Sequence, residues 1–467
     1  MALAHPTYSV PSEPMRNDER RVVITGLGLI CPLGIGLEDC RHAFATGRGA
    51  IGKLKSFPVA GLPNDLGAEV PPFDAKSLAV PRHKKPLAKS LRVMARDIQL
   101  AVAAAELAFA DAGLADGGID PTRIGVDLGA GLISTELDEL APAINRASRS
   151  DGSFDYGIYG REGIPEIPPL WLLKYLPNMP ACHISILWDC QGPSNSITQA
   201  EAASLVAIGE ACRIIARGRA DLMVTGGADS KIHPLSLVRM SLLGQMSRWE
   251  GEPSGACRPF DVRRDGWVPG EGAGILIVEE REHALKRGAR IYAEILGFGS
   301  ACDAKREGGI DDRGTGTELA LRAALKDAGL EPGAVGHVNA HGAATIAADA
   351  AEAKALDRVF GKHVPITAMK GYFGNLVSGT GAVELIGSLL GVNHGFIPPI
   401  VNCDEPAFDL DFVRGAARPT TNPIFATTNL TRHGQAAALV VRGNAGETSG
   451  PVAVADAEEI AQLAAKR

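Results

Sequence analysis

The stretch GPSNSITQAEAASLVAIG, residues 192–209, decides the architecture of this chain. A strand-like run breaks here into an alanine-rich segment in which apolar residues return at helical spacing. Glu201 stands at the junction, in the first turn of the predicted helix. Unpaired N–H groups and the positive end of the helix dipole stabilise an anion there. We therefore interpret residue 201 as a site for a nucleophile; the alternative is a solvated acid of an ordinary first turn.

Composition restricts the class of protein. The 467 residues are 45% hydrophobic and contain no long apolar run, so we expect two fused units and no membrane span. A net charge of −7 argues against a general nucleic-acid binder. The eight cysteines are scattered without a CxxC pair, which indicates reduced thiols, a cytoplasmic location and no metal site.

The two ends of the chain differ from the rest. Residues 1–19 lack the layout of a signal peptide and carry prolines, so we expect a disordered lead-in. The tail, 444–467, is small and polar, with one possible short helix in DAEEIAQLAAKR.

An internal duplication is visible in the remaining sequence. The phrase DAGL occurs at Asp111, before DPTRIGVDLGAG, and again at Asp327, before EPGAVGHVNAHG. Each copy is typical of a helix, a turn and a strand that ends in glycine. We predict two related α/β halves, 20–280 and 281–443, with parallel strands buried between helices. A helix is expected over 37–45, and a second, long helix is expected to end near Gly113. An insertion at about 132–180, polar and proline-rich, is expected to be a surface excursion.

Longer motifs carry a family resemblance. CRPFDVRRDGWVPGEGAGILIVEE, 257–280, resembles the RPFDxxRDGFxxGEGAG signature of β-ketoacyl-acyl-carrier-protein synthases, and VNAHGAAT, 338–345, resembles their VNAHGTxT motif. The similarity runs in order through about 20–443. It implies a thiolase-like fold, an internally duplicated αβαβα sandwich that dimerises through a strand beside the active helix. It also implies an acyl carrier protein as partner, which brings its own phosphopantetheine, and no other cofactor.

The chain departs from this family at the nucleophile. Counting from the GP of GPSNSITQAEAAS places Glu201 where the family has its active cysteine. A cysteine at a helix N-terminus is an activated thiolate, whereas a carboxylate is a poor acyl acceptor whose anhydride product is labile. Cys190 precedes the GP and is expected to be packed and inert. We therefore do not expect this subunit to elongate acyl chains alone.

The resemblance assigns three more site residues. His341 matches the first histidine of the family pattern, Lys370 matches its lysine, and Asn375 stands where a second histidine is expected. In condensing enzymes that pair donates hydrogen bonds to the thioester oxygen. The alternatives are a core histidine at 341 and a turn residue at 375. If Glu201 is buried it needs a partner, for which we expect His341 or Lys370.

Two further stretches have predicted roles. Elongating members of the family carry a flexible GFGG turn that gates the acyl pocket, and this chain replaces it with bulkier residues, so we expect a different gate. These residues are Thr431, Arg432, His433 and Gly434. A basic run is either a solvated helix face or a docking site for the acidic carrier. It includes Arg82, Lys84, Lys85 and Lys89.

Three hypotheses on function follow, in this order of preference. The first is a non-elongating subunit of fatty acid or polyketide biosynthesis, similar to a chain-length factor, that pairs with a cysteine-bearing synthase. For the dimer itself, a homodimer and a heterodimer with such a synthase both stay open. The second is a malonyl-carrier decarboxylase that supplies starter units, in which a protonated Glu201 mimics glutamine. The third is an acyltransferase that uses Glu201 as a general base toward an amine or alcohol.

Overall fold

The computed structural model describes residues 20–62, 65–305 and 308–444. The predicted lead-in, 1–19, and the predicted tail helix lie outside these residues. Ten strands form the main sheet: β1 (Val22–Cys31), β2 (Ile124–Gly129), β3 (Ser194–Ile197), β4 (Leu222–Ser230), β5 (Glu271–Glu280), β6 (Ala293–Cys302), β7 (His337–Ala340), β8 (Ile366–Ala368), β9 (Ile424–Leu430) and β10 (Gln435–Gly443).

The order of these strands repeats. The first five run β3-β2-β4-β5-β1 and the last five run β8-β7-β9-β10-β6, and the two sets join where β1 pairs with β6. In each set the strand at the junction and the next two pair antiparallel, and the two outer pairings are parallel. The same connection pattern therefore occurs twice, which confirms the predicted duplication.

Helices connect the strands in both sets. They are α1 (Leu37–Thr46), α2 (Ala75–Leu78), α3 (Lys84–Ser90), α4 (Arg96–Asp111), α5 (Leu137–Ala147), α6 (Tyr156–Ile158), α7 (Met179–Trp188), α8 (Ala203–Ala216), α9 (Pro234–Leu242), α10 (Arg281–Lys286), α11 (Thr315–Ala328), α12 (Ile346–Phe360), α13 (Lys370–Phe373) and α14 (Thr380–Asn393). Small strand pairs join Gly52–Lys53 to Leu66–Gly67 and Phe396–Ile397 to Arg418–Pro419. A further short strand of the main sheet, Gly34–Ile35, pairs antiparallel with the end of β1.

Three helical layers enclose the two halves of the sheet. α4 and α7 pack on the outer face of the first half, and α11 and α12 pack on the outer face of the second. α8, α14 and α1 lie between the halves in a shared apolar core, and every residue of α14 is buried. Strands covered on both faces need continuous apolar runs, which β5 and β10 supply. The predicted αβαβα sandwich is confirmed.

The DAGL phrases perform the same task in both halves. Asp111 accepts a hydrogen bond from the backbone N–H of Leu27 in β1 at 2.9 Å, and Asp327 accepts one from the N–H of Phe298 in β6 at 2.9 Å. Glycine permits the helix to approach each strand. A Cβ on Gly28 would stand 1.8 Å from the Ala104 carbonyl oxygen in α4. Gly299 has the equivalent contact in the second half, 2.2 Å from a carbonyl oxygen of α11.

The predicted helices agree with the structure at both places. The helix expected over 37–45 is α1, and the long helix is α4, after which Gly113 has φ +70°. The positive φ explains why glycine stands just beyond the helix end.

The insertion at 132–180 differs from its predicted polar character. It does lie at the surface, as short helices and turns, but it exposes large apolar side chains. They are Leu132, Leu137, Ile144, Phe154, Tyr156, Ile164, Leu170 and Leu172. Its prolines and glycines made the segment look polar, although its aliphatic residues are the ones that face outward. We call these eight side chains the apolar band.

Candidate active site

Two predicted site residues follow neighbouring parallel strands. β7 ends at Ala340 and β8 ends at Ala368, and the two strands pair in parallel. His341 and Lys370 therefore leave the sheet at the same edge, which is where open α/β sheets place their ligands. Asn375 follows α13 in the loop before α14, and Glu201 lies in a 3₁₀ turn, Ala200–Ala202, that leads into α8.

Lys370 is fully buried and has three partners. Its Nζ lies 2.9 Å from Oε1 of Glu384 and 3.1 Å from Nδ1 of His341, and it also donates to the His341 carbonyl oxygen. Asn429 completes the network, because its Nδ2 donates to Oε2 of Glu384 at 2.7 Å and lies 3.4 Å from His341 Nδ1. The buried cation is thus neutralised by Glu384.

These contacts fix the tautomer of His341. Nδ1 faces the ammonium of Lys370 and the amide N–H of Asn429, and both of these groups are donors. Nδ1 must therefore accept, which puts the ring proton on Nε2. Burial, together with the charge of Lys370, holds the pKa of His341 well below its usual range. His341 is accordingly a neutral imidazole that donates through Nε2.

The backbone of His341 is anchored separately. Glu352, buried in α12, accepts the N–H of His341 at 2.7 Å and the N–H of Gly342 at 2.8 Å. Burial raises the pKa of Glu352 to about 8, and the two N–H bonds oppose that shift because they favour the carboxylate. Glu352 thereby positions the loop that carries the imidazole.

Asn375 is the partner of Glu201. Its Oδ1 accepts the N–H of Val377 at 2.9 Å and lies 3.3 Å from Oγ1 of Thr380, which orients the amide. Its Nδ2 then donates to Oε1 of Glu201 at 3.0 Å. Asn375 is buried and Glu201 is half-buried. Asn375 serves both as a turn residue and as a donor that faces the site.

The predicted partners of Glu201 were wrong. Lys370 forms its ion pair with Glu384, and the Nδ1 face of His341 is turned toward Lys370. Glu201 is held by a neutral amide instead. A half-buried carboxylate retains contact with water, so it does not require the cation that a fully buried one would need.

Strained backbone occurs close to Glu201, His341 and Asn375. Ala200 has φ +41° directly before Glu201, Ala344 has φ +60° shortly after His341, and Val377 has φ +44° two residues after Asn375. Non-glycine residues rarely adopt this region, at a cost of about 1–3 kcal/mol each, and such residues cluster at functional sites. The chain keeps these three conformations in one place.

The comparison with known proteins decides the family. The model of the β-ketoacyl synthase N-terminal domain matches residues 19–284, and that of the β-ketoacyl synthase C-terminal domain matches residues 292–404. The chain belongs to the β-ketoacyl synthase family.

Curated relatives of this synthase-family chain are themselves condensing enzymes. The 3-oxoacyl-[acyl-carrier-protein] synthase 2 of Coxiella burnetii is 35% identical over 406 residues, which cover 86% of this chain and 93% of the relative. The protein of the same name from Rhizobium meliloti is 34% identical over 431 residues and covers 91% and 99%.

Solved structures confirm the thiolase-like fold. A β-ketoacyl synthase from Burkholderia phymatum STM815 is 32% identical, with a TM-score of 0.79. The ishigamide ketosynthase/chain length factor is 29% identical, also with a TM-score of 0.79. Each of these two comparisons covers 91% of this chain and 100% of the other chain. A third match is the structure of AntDE:AntF, a type II PKS acyl-carrier protein in complex with its ketosynthase, at 27% identity, with a TM-score of 0.77 over 91% of this chain and 100% of the other.

The predicted gate of this synthase-family chain is a closed turn between β9 and β10. The N–H of Thr431 donates to the Gln435 carbonyl at 2.8 Å, and the N–H of Gly434 donates to the Thr431 carbonyl at 2.9 Å. Arg432 and His433 are exposed, and Nε of Arg432 donates to Nε2 of His433 at 3.0 Å. The bulky side chains of Arg432 and His433 therefore face solvent, and the gating role of this turn stays a prediction.

The predicted docking residues separate into two kinds. Lys84, Lys85 and Lys89 lie exposed on α3. Arg82 precedes that helix and stands over the ring of Trp188, with its Cζ 4.9 Å from the ring centroid. These residues are not part of the His341 cluster.

Two members of the site were missed at the sequence level. Glu384 and Asn429 complete the Lys370 network. Glu384 is the lone acid within the apolar run GAVELIGSLLGV, and this is a signal that was available, because a carboxylate in a buried helix requires a cation. Asn429 has no comparable signal, since the alternation of side chains along β9 gives the face on which its amide lies but not the partner that it contacts.

Other features limit the chemistry that the described residues provide. Burial raises the pKa of Cys190 to about 12, so this thiol is inert at neutral pH, as expected. Within 20–62, 65–305 and 308–444, no group of three or more His, Cys, Asp or Glu side chains is placed to hold a metal ion. None of the helices in these ranges is long and apolar enough to cross a membrane.

Proposed function

We propose that this chain is a non-elongating ketosynthase-like subunit of fatty acid or polyketide biosynthesis, similar to a chain-length factor. The observation that carries the proposal is Glu201: a carboxylate at the start of α8, bonded to Asn375, at the position where the sequence resemblance expects the active cysteine. If residue 201 corresponds to the active cysteine, the carboxylate of Glu201 replaces the thiolate that accepts the acyl chain, and a carboxylate forms only a labile anhydride.

The Asn375 amide is already partly engaged. A condensing site needs free donors for the thioester oxygen. One N–H of the Asn375 amide already donates to Oε1 of Glu201, so a thioester oxygen would find the second N–H of Nδ2 and the Nε2–H of His341 beside the Glu201 carboxyl group.

The surface supports a partner subunit. Monomeric proteins seldom expose large contiguous apolar patches. The apolar band provides eight exposed large apolar side chains within about 40 residues, and Leu242 of α9 is also exposed. The ishigamide and AntDE structures are of a ketosynthase/chain length factor and of a ketosynthase with its carrier protein. We infer a cysteine-bearing synthase as the partner and a carrier protein as the client, docked at Lys84, Lys85 and Lys89.

Co-expression with a cysteine-bearing β-ketoacyl synthase from the same genome tests this proposal. Light scattering should show a stable one-to-one complex, and mass spectrometry of the products should show a chain length that depends on this chain. A complex in which the partner's active cysteine is replaced should assemble and make no product. A homodimer that ignores every such partner, or elongation by this chain alone, would contradict the proposal.

A second candidate function is decarboxylation of a malonyl-carrier thioester. The observation in its favour is the intact support of His341, because Lys370, Glu384 and Asn429 fix its Nε2–H as a donor. An ionised Glu201 accepts hydrogen bonds only and would repel the malonyl carboxylate, whereas an amide at the same place would donate.

Glu201→Gln tests this second function. Release of carbon dioxide from malonyl-carrier protein should rise about tenfold or more in the variant, since one repulsive charge becomes a donor. Glu201→Gln combined with His341→Ala is the matched control and should lose the release. If neither Glu201→Gln nor the unmodified protein releases carbon dioxide, this function is excluded.

A further inference from the structure

A second cavity lies away from the active site. Its volume is about 340 Å³, and it opens beside the ends of α4 and α7 and the start of β2 at Ile124. Glu201 and His341 lie near the opposite ends of the parallel strands, where Gly129 closes β2 against α8. The cavity therefore belongs to neither the acyl site nor its entrance.

The walls of this cavity combine an apolar part with a polar part. In the apolar part, Phe109 and Trp188 stack with ring centroids 3.8 Å apart, beside four aliphatic side chains. They are Leu114, Ile119, Ile124 and Leu187. Small-molecule sites commonly combine an apolar wall with a few polar groups that fix the orientation of the ligand.

One cation stands in the lining. Arg82 has no carboxylate within ion-pair distance among the described residues, and its guanidinium lies over the Trp188 ring. Its Nε donates to Nε2 of His83 at 3.2 Å, so His83 carries its proton on Nδ1, which lies 2.7 Å from Oε1 of Glu106. Glu106 is fully buried in α4. The Glu106–His83 pair thus orients Arg82 and leaves its terminal nitrogens for a ligand.

Two more features indicate the kind of ligand. The indole N–H of Trp188 is buried and has no acceptor within the described ranges. Asp189, whose carboxylate accepts a hydrogen bond from the Gln191 side chain at 2.9 Å, also lines the cavity. A ligand with several negative charges would be repelled by Asp189, whereas a single carboxylate satisfies Arg82 and leaves an apolar body for the walls.

We propose that this cavity binds a small monocarboxylate with an apolar body, held by Arg82 and packed against Phe109 and Trp188. The site shares no residue with the Glu201 cluster, although Arg82 also belongs to the basic run that the sequence analysis offered as a docking site. Binding at Trp188 changes the surroundings of an indole, which provides a direct optical signal.

The experiment titrates the full chain with octanoate and with 3-phenylpropionate, measured by calorimetry and by tryptophan fluorescence. We expect saturable binding with one site and a fluorescence change that Trp188→Phe removes. Arg82→Gln should weaken the binding of octanoate by roughly tenfold, because one charge-assisted hydrogen bond is lost. 1-Octanol, which has the same body without the charge, should bind more weakly than octanoate and should not respond to Arg82→Gln.

A matched control separates binding in this cavity from general charge effects. Lys85→Gln removes a neighbouring exposed cation that does not line the cavity and should leave the affinity unchanged. Circular dichroism confirms that each variant is folded. The proposal is overturned by octanoate binding that survives Arg82→Gln unchanged, by equal weakening in Lys85→Gln, or by no saturable binding of either acid at millimolar concentration.

Discussion

At the scale of single residues, the site contains two carboxylates with different surroundings. Glu384 is fully buried and lies against Lys370, whereas Glu201 is half-buried and lies against the neutral amide of Asn375. Burial raises the pKa of Glu384, and the ammonium of Lys370 opposes the shift. Charge is therefore balanced within the Lys370 network, and Glu201 has no ion-pair partner among the described residues.

Sequence reasoning identified the positions of the site better than their pairings. His341, Lys370, Asn375 and Glu201 do lie on the loops that follow neighbouring elements. The pairing of Glu201 with Asn375 depends on how far its carboxylate is removed from water, which no motif encodes. The roles of these residues in catalysis stay predictions.

A buried acid outside the site gives a pH-dependent prediction. Asp127 in β2 is fully buried, neither of its oxygens has a hydrogen-bond partner in the described part of the chain, and burial raises its pKa from 3.8 to about 7. The folded state therefore holds a proton that the unfolded state releases near pH 4. The stability that this proton provides is complete below the unfolded pKa and is lost as the pH rises through 7.

Asp127→Asn, which is neutral at every pH, should remove this dependence. At pH 8.5 the variant should be more stable than the unmodified protein by at most about 4 kcal/mol, and the difference should vanish near pH 4. Urea unfolding across this pH range measures it. Asp116→Asn, a change at an exposed aspartate, is the control; equal pH profiles for Asp127→Asn and the unmodified protein would disprove the prediction.

At the scale of elements, each half of the chain fastens its long outer helix to its first strand in the same way. Asp111 of α4 bonds Leu27 in β1, and Asp327 bonds Phe298 in β6. The repeated phrase DAGL predicted that these helices are related, and the structure explains the aspartate: it satisfies a strand N–H that the sheet leaves without a partner.

Removal of either aspartate should cost similar stability. Asp111→Ala and Asp327→Ala each leave a strand N–H unsatisfied and should lower the free energy of unfolding by about 1–3 kcal/mol. Denaturant titration measures both, and Asp312→Ala, at an exposed residue of the loop before α11, is the control. A loss below about 0.5 kcal/mol in both variants would show that water satisfies these groups as well.

At the scale of the whole molecule, the order of elements could be predicted, whereas the nature of the surface could not. Repeated phrases and glycine-ended strands were sufficient for two related α/β halves, and the family resemblance supplied the sandwich. The division at 20–280 and 281–443 stays a prediction. The apolar band escaped notice because composition averages over a segment, and which side chains face water depends on turns such as the one at Leu170, with φ +65°.

The apolar band provides a prediction on assembly. Leu172 of the apolar band is 54% exposed, and Leu242 of α9 is 82% exposed. Leu172→Glu and Leu242→Glu should each shift the protein from oligomer to monomer in sedimentation experiments. The reason is that the interface would remove the new charge from water without giving it a partner. Leu319→Glu, at an exposed leucine of α11, is the matched control and should assemble normally. Unchanged sedimentation of both test variants would remove the band from the interface.

The hydrogen bond between Glu201 and Asn375 joins the two repeated sets of strands. Glu201 follows β3 of the first set and Asn375 follows β8 of the second, and Ser204 accepts the N–H of Ala382 at 3.1 Å between the same two sets. The surroundings of Glu201 therefore depend on both sets, so a displacement of one set against the other would change this bond first.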